Sequence, residues 1–450
     1  MRLLAALLLA IPAAALAQEG KPCSLVFTGV ARGSDTTAMK VFTGADGARQ
    51  TFISGGVDAT CEGQGNRLLA DSAEHYADRG ELILINRVRY SEARMNLQAD
   101  RMVYYTGEER LLATGNVRGK TSTGTRFTGP QIEYFRAKPG LRTEPSWRAP
   151  GRPFVRMAPQ RTVGPRPAVA PAGAADSVDI TADVVISQND SLIWAVGKVV
   201  IERPDMRATA DSATMDQGTG FARLLREPAI LGRGERPFTL TGTVIDLWSR
   251  DQRIERVRSQ GAARVLSDSL TLTGDTIDLR IADQKMERVY TWGGRAKADT
   301  PQQQMEADSI SILMPGQRLQ ELHALGRAIA HTRVDTARIV SEDRDWIAGD
   351  TIVALFDTAA TGDTTTSARM REVTASGGAR AFYQLAPSGG VKGPPNLSYN
   401  RGREIVVSFV EGEVSNVAVQ QRASGLFLEP IKTHPATAHK PTVKPTSKRP

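Results

Sequence analysis

The sequence predicts an all-β chain of short, bent strands, stacked into layers that cannot bury their apolar faces alone. Three observations predict it. A unit recurs with its small residues Gly242, Gly274 and Ala307 spaced by 32 and 33 residues. Inside each unit apolar residues alternate, the period of a half-buried strand. The units are rich in Thr, Val, Ile and Gly and carry no sustained 3.6-residue period, which excludes long helices.

The N-terminus sets the compartment. Arg2 is followed by an almost unbroken apolar run, Leu3 to Leu16, closed by Ala15-Leu16-Ala17. A positive start, a short apolar run and a small-x-small end have the form of a signal peptide over 1–17, with Gln18 as the first mature residue. A retained anchor is the other reading, but the run is short for a membrane span. Cys23 lies six residues beyond Ala17 rather than at the cleavage point, so it is not read as a lipoprotein cysteine. In an oxidising compartment Cys23 and Cys61 either form one disulfide, tying the N-terminal segment to the first repeat, or remain two thiols. Two cysteines this far apart and five scattered histidines offer no metal set.

Composition then divides the mature chain. Two regions with strand periodicity, 18–135 and 177–428, flank a Pro/Arg-rich stretch over 136–176. That stretch reads as a linker between two domains or as an insertion looping out of one. A basic, Pro-rich tail follows over 429–450. The formal net charge is +8, but residues 136–176 hold eight Lys/Arg against two acids, and 431–450 hold five against none. The repeats themselves are therefore slightly acidic, which argues against a nucleic-acid surface. The two basic segments read as solvated chain or as contacts for anionic lipid headgroups or polymers.

The repeat carries most of the information. An apolar residue lies two before each anchor (Leu240, Leu272, Met305), and apolar residues lie three and five after it (Ile245 and Leu247, Ile277 and Leu279, Ile310 and Ile312). Val257, Val289 or Leu322 lies fifteen after, and Gly261, Gly293 or Gly326 nineteen after. Less regular copies are anchored on Ala70, Ala99, Ala182, Ala210 and Gly349, which makes eight units. Apolar residues share the anchor's parity before it and change parity after it. In a straight strand that change would send the side chains to the opposite face. A bend or bulge at the Gly-Asp or Ala-Asp pair keeps them inside. The glycine nineteen residues on reads as the end of a second strand. Each unit is then two or three strands, and stacking neighbours complete its core.

Catalytic signatures are absent. No G-x-S-x-G elbow, P-loop, H-E-x-x-H or G-x-G-x-x-G opening a helix occurs. The recurrent Asp71, Asp100, Asp183, Asp211, Asp275, Asp308 and Asp350 each follow a small residue and read as turn-formers. The dense glycine runs of calcium-binding repeats are missing. The expectation is a protein that is not an enzyme and carries no cofactor.

The pattern A-D-x-x-x-Y/I followed by L-x-A-x-G-x-V-R resembles the OstA-like domain of lipopolysaccharide-transport proteins. It is carried by LLADSAEHYADRGELILINRVRY, LQADRMVYYTGEERLLATGNVRG and ITADVVISQNDSLIWAVGKVVIE. The resemblance is strongest over 55–135, weaker over 178–345, and fades beyond. It implies a β-jellyroll whose two sheets splay into a V and hold lipid acyl chains in the groove. It also implies a periplasmic protein, free or associated with the outer membrane, that binds lipopolysaccharide or another acylated lipid. Its partners would be other transport proteins, or copies of itself, joined by strand-edge pairing. The groove would be lined by Leu97, Met102, Tyr104, Leu240, Ile245, Leu247, Leu272, Ile277, Leu279, Ile310 and Ile312. The chain departs from the family's periplasmic bridge in its length, its Pro-rich stretch and its basic tail. A structural or adhesive β-solenoid with a closed core and no ligand is the competing expectation.

Overall fold

The structure, a computed structural model, describes residues 24–27, 38–157, 177–233, 237–250, 253–267, 270–301, 303–334, 336–357, 369–387, 392–410 and 413–430. The predicted signal peptide, Cys23 and the tail from 431 lie outside the described residues. The chain is all-β, as the sequence predicts; among the described residues one 3-10 turn stands at Pro315–Gln317. Contacts divide it into two units, 1–268 with 276–285, and 269–275 with 286–450.

In the first unit the strands are β1 (Leu25–Phe27), β2 (Ala38–Thr43), β3 (Arg49–Cys61), β4 (Asn66–Tyr76), β5 (Glu81–Ser91), β6 (Met95–Tyr105), β7 (Arg110–Thr121) and β8 (Arg126–Phe135). They continue as β9 (Ser146–Pro150), β10 (Phe154–Met157), β11 (Val178–Thr181), β12 (Val184–Gln188), β13 (Leu192–Glu202), β14 (Met206–Asp216), β15 (Phe221–Leu225) and β16 (Ala229–Gly232). Then come β17 (Phe238–Thr241), β18 (Val244–Arg250) and β19 (Arg253–Ser267). Strand β20 (Thr271–Ala282) gives its second half to this unit and its first half to the other.

Each long strand bends midway, and β5 shows how. Its first half, Glu81 to Ile85, pairs with Ser72 to Tyr76 of β4 and with Arg101 to Tyr105 of β6. Its second half pairs with Arg67 to Leu69 of β4 and with Asn96 to Ala99 of β6. Between the halves, Asn86 and Arg87 face the single Asp100 of β6, and Asn86 to Val88 face Ala70 and Asp71 of β4. Two residues opposing one is a bulge, and a bulge turns the strand sharply. Both Asn86 (φ 62°) and Arg87 (φ 49°) are left-handed. The halves thus belong to two layers folded together along a crease. In places the strand breaks in two at the crease, as in β9/β10, β11/β12, β15/β16 and β17/β18.

The second unit follows the same plan with β21 (Lys285–Asp299), β22 (Gln303–Leu313), β23 (Glu321–Thr332), β24 (Asp345–Phe356), β25 (Met370–Ser376), β26 (Arg380–Leu385), β27 (Asn396–Arg401), β28 (Glu404–Val410), β29 (Glu413–Gln420) and β30 (Ser424–Leu428). Its creased strands carry the left-handed pairs Gly293–Gly294, Gly326–Arg327 and Gly377–Gly378.

The left-handed pairs sit on alternate strands, and the small-Asp anchors sit on the strands between. The sequence places the bend at the anchor and reads Gly261, Gly293 and Gly326 as strand ends. The structure puts these glycines inside continuous strands, at φ 77°, 81° and 82°. The anchor lies on the same crease, and its Asp stands over its neighbour's corner. A Cβ built on Gly115 would lie 2.6 Å from Asp100 Oδ2, and one on Gly326 would lie 2.5 Å from Asp308 Oδ2. The anchor amide also bonds the corner: Asp183 N–H donates to the Gly197 carbonyl at 2.8 Å, and Asp350 N–H to Gly377 at 3.1 Å. Corner strands keep an even spacing across the bend (Leu322, Ala324, Ala328), whereas anchor strands step by an odd one (Leu272, Ile277, Leu279); all six are buried.

The Pro/Arg-rich stretch is expected as a linker or as an insertion looping out of one domain, and its first part is instead built into the sheet. Strand β9 pairs with β8 and β12, and β10 pairs with β8 and β11, so 136–157 is part of the first unit's layers. Its prolines were misleading because Pro150 and Pro153 flank the crease at Gly151–Arg152, where a strand tolerates a missing ladder donor. Residues 158–176 lie outside the described residues. The division between units falls at 268–286.

Replacing Gly326 by Ala should cost about 1–2 kcal/mol in denaturant unfolding, because a side chain at this left-handed φ is strained and meets Asp308. In an Asp308→Ala background the same replacement should cost measurably less. Strictly additive losses would show that Asp308 does not cover the corner.

Candidate functional site

The eleven positions expected to line a groove all point inward and are all buried. Leu97, Met102 and Tyr104 lie on β6, Leu240 on β17, Ile245 and Leu247 on β18, Leu272, Ile277 and Leu279 on β20, and Ile310 and Ile312 on β22. Their exposures run from 0% at Met102 and Tyr104 to 6% at Leu247. Each sits in a cross-strand row. Met102 faces Leu84 and Ala113, Leu240 faces Ile230 and Val265, and Ile310 faces Thr291 and Ala324. Complete burial makes them a closed core in this conformation. Two surface hollows, lined by residues such as Phe52 and Glu74 or Gln320 and Phe356, include none of the eleven.

Polar groups keep to the crease and the outer faces. At the crease, Ser259 Oγ donates to the Thr241 carbonyl at 2.8 Å. On the outside, Asp278 (2% exposed) takes Arg256, Arg258 and Arg280, and Asp246 (5% exposed) takes Arg223 at 2.7 Å. Breaking one side of such a buried pair would leave a charge uncompensated. In the corner pairs Arg87–Asp71 and Arg327–Asp308 the arginines are exposed, and such surface pairs contribute little. The recurrent aspartates are thus occupied at corners. Among the described residues no group of His, Cys, Asp or Glu is arranged to hold a metal ion. His323 pairs with its strand neighbour Glu321 at 2.6 Å on a partly exposed face.

One polar cluster stands apart, and the sequence reading missed it. Opposite the crease, where the strand halves end, the two layers of the first unit meet edge to edge. One layer brings the turn residues Gln64 and Glu92, with Cys61 and Tyr90 behind them. The other brings Tyr104, Glu109, Tyr134 and Arg136. Arg136 Nε donates to Glu92 Oε2 at 2.7 Å, and its Nη1 donates to Glu109 Oε2 at 2.7 Å and to Gln64 Oε1. The Tyr134 hydroxyl donates to Glu92, the Tyr104 hydroxyl to Glu109 at 2.7 Å, and the Gln64 amide to Glu109 at 3.2 Å. The Arg136, Glu92 and Glu109 side chains are 14%, 10% and 7% exposed. Burial disfavours the charge on Arg136, but Tyr90, Glu92 and Tyr104 outweigh it, and the pKa lies above its ordinary value. Burial, followed by Glu109, raises the Tyr104 hydroxyl, and burial, followed by Glu92, raises that of Tyr134. The pairs bonded from layer to layer are 42 to 72 residues apart in sequence, and Arg136 opens the stretch read as linker. Only the unusual company of Tyr and Glu at strand ends could have signalled them.

Cys61, beside the cluster, is disulfide-bonded, and its Sγ lies 3.7 Å from the Tyr104 hydroxyl oxygen. The partner expected from the sequence, Cys23, lies outside the described residues. No protein-family model matches the chain, and no curated protein does. Among the described residues no helix is long and apolar enough to cross a membrane.

Two outcomes follow. Leu279→Ala and Met102→Ala should each lower stability by about 2–5 kcal/mol, since both empty a fully packed site; losses below 1 kcal/mol in denaturant titrations would mean the interior is loosely filled. Burial beside Phe27 (centroids 6.1 Å apart) lowers the His75 pKa below its ordinary 6.5. The native state therefore prefers the neutral imidazole. Its contribution is present above 6.5 and lost as pH falls from there through the native value. His75→Phe should flatten that part of the stability–pH curve, and an unchanged curve would remove His75 as its source.

Proposed function

We propose that the protein is a periplasmic carrier that shields the acyl chains of a lipid between its two β-layers. Its repeat pattern resembles that of the OstA-like domains of lipopolysaccharide transport, so lipopolysaccharide is the first ligand to test. The observation that carries the reading is the interior itself. It is built from rows of apolar side chains, mostly aliphatic and joined in the first unit by aromatics such as Phe127 and Trp147, while the charged groups described above are held at the corners, the outer faces and the edge opposite the crease. Such a seam has no chemistry to perform and one property to offer, an apolar surface out of water. Each acyl methylene exposed to water costs about 0.8 kcal/mol, so a chain of about a dozen carbons exposes roughly 10 kcal/mol. Parting the layers and replacing side-chain contacts by acyl contacts would remove that cost without any reaction. The periplasm, the compartment this reading assigns, is where that barrier exists.

Free strand edges support a partner role. Among the described residues β1 and β2 pair only with β3, β29 only with β28, and β30 only with β27. Val414, Leu426, Phe427 and Leu428 on the last two strands are exposed. Open edges pair with further strands, which suits other transport proteins or head-to-tail copies of this chain.

The complete burial of the eleven interior positions favours a second reading, a structural β-stack whose core never opens. Native mass spectrometry with lipid extraction separates the two. The mature chain, purified from a Gram-negative periplasm, should carry an acylated lipid. A folded variant with Leu272 and Ile277 both changed to Asp should lose it. Wild-type protein that is folded, free of lipid and unable to take up added lipid A would leave the structural stack as the better account.

A further inference from the structure

We propose that Gln64, Glu92, Glu109 and Arg136 form a clasp across the mouth of the first unit, and that its release is the entry step for an acyl chain. The proposal rests on the carrier reading and assigns it a place and a gate.

Three observations support it. The cluster joins the layers at the one edge where the backbone does not. Along the crease the layers are covalently continuous through every long strand, so they cannot part there. At the opposite edge the strand halves end in turns, and side chains alone cross from layer to layer. Second, one residue supplies a crossing hydrogen bond to each of the two turns. Arg136 follows β8 in one layer, and it holds Glu92 and Gln64 of the other layer together with Glu109 of its own. Losing that guanidinium would remove a crossing bond from both turns at once, leaving Tyr134 on Glu92 and Gln64 on Glu109. Third, apolar core begins directly behind it. Tyr90 and Tyr134, with ring centroids 6.3 Å apart, and Tyr104 separate the charged groups from Leu82, Leu84, Leu97 and Leu111, all at most 1% exposed.

The chemistry suits a reversible fastening. A charge-assisted hydrogen bond is strong when shielded and is exchanged for water or another anion when opened. The planar fork of an arginine fits carboxylate and phosphate alike. An anionic headgroup arriving at this edge would therefore offer Arg136 the type of partner it gives up, while the acyl chain passes behind the tyrosines. Arg94 Nη1 adds a second, more exposed crossing, donating to Asn189 Oδ1 at 2.8 Å.

The test uses the full chain and two readouts. Stopped-flow fluorescence follows uptake of dansyl-undecanoic acid by wild type and by the E92Q/E109Q/R136M variant, which removes every charge of the clasp and leaves none buried alone. Amide hydrogen exchange compares Leu82, Leu84 and Tyr104 at the mouth with Ala70 and Asp71 at the crease. The expected result is uptake roughly tenfold faster in the variant, the scale of one charge-assisted hydrogen bond. Mouth amides should exchange faster with the crease unchanged. Equal uptake rates with equal mouth exchange, in a variant with wild-type circular dichroism, would overturn the clasp while leaving the carrier intact. Uptake by neither protein would overturn the carrier and the entry step with it. Should the triple variant fold poorly, Gln64→Leu, which cuts two of the crossing bonds without stranding a charge, decides by the same readouts.

Discussion

An antiparallel sheet with one apolar face has to cover that face. This chain covers it by creasing each strand so that its two halves face one another. The crease obeys a counting rule. Side chains alternate with period two, so a bend that consumed the wrong number of residues would turn a whole half-strand inside out. Corner strands meet the rule by inserting two left-handed residues, and anchor strands by stepping an odd number. The two kinds must then sit side by side, two residues against one, with the anchor's Asp covering the corner. Core, outer faces and mouth all inherit their positions from that line.

Much of this is legible in the sequence. Leu272 before Gly274 and Ile277 with Leu279 after it show the parity change directly, and a parity change within an all-β repeat implies a bend. The inward rows follow, and every candidate interior position is indeed buried. The location of the left-handed residues is less legible because glycine is not required for them. Gly326 advertises its corner, while Asn86–Arg87 and Arg226–Glu227 adopt the same geometry with ordinary side chains. There the Asp on the adjoining strand offers compensation, accepting from Arg87 at 2.8 Å or from Arg226 at 3.1 Å. Corners are thus defined by a partner 15 or 16 residues away on the adjoining strand, which no short local window contains.

Residues 136–157 were hidden for another reason. Prolines and arginines ordinarily signal solvated chain, and here they serve at positions where the sheet asks little of the backbone. Arg148 stands on the outer side of β9 beside Trp147, which is buried and stacked on Phe127 of the other layer at 5.1 Å. The alternation of Trp147, Ala149, Val155 and Met157 was present but too short to stand against the composition around it. The candidate site was legible only in its apolar half, since periodicity reports which side chains face inward and says nothing of whether the layers meet. That depends on Glu92, Glu109 and Arg136, whose mutual distance in sequence makes their pairing a property of the fold.

The alternation of corner and anchor strands also limits how such a chain can change length. Deleting or duplicating a single strand would set two corners, or two anchors, side by side. Left-handed residues would then lack their covering Asp, and the bulges would oppose one another. Only whole hairpins, one strand of each kind, enter or leave without disturbing the line. The natural unit of variation is thus the pair, close to the 32–33 residue repeat seen in the sequence, and the stack is a ruler graduated in hairpins.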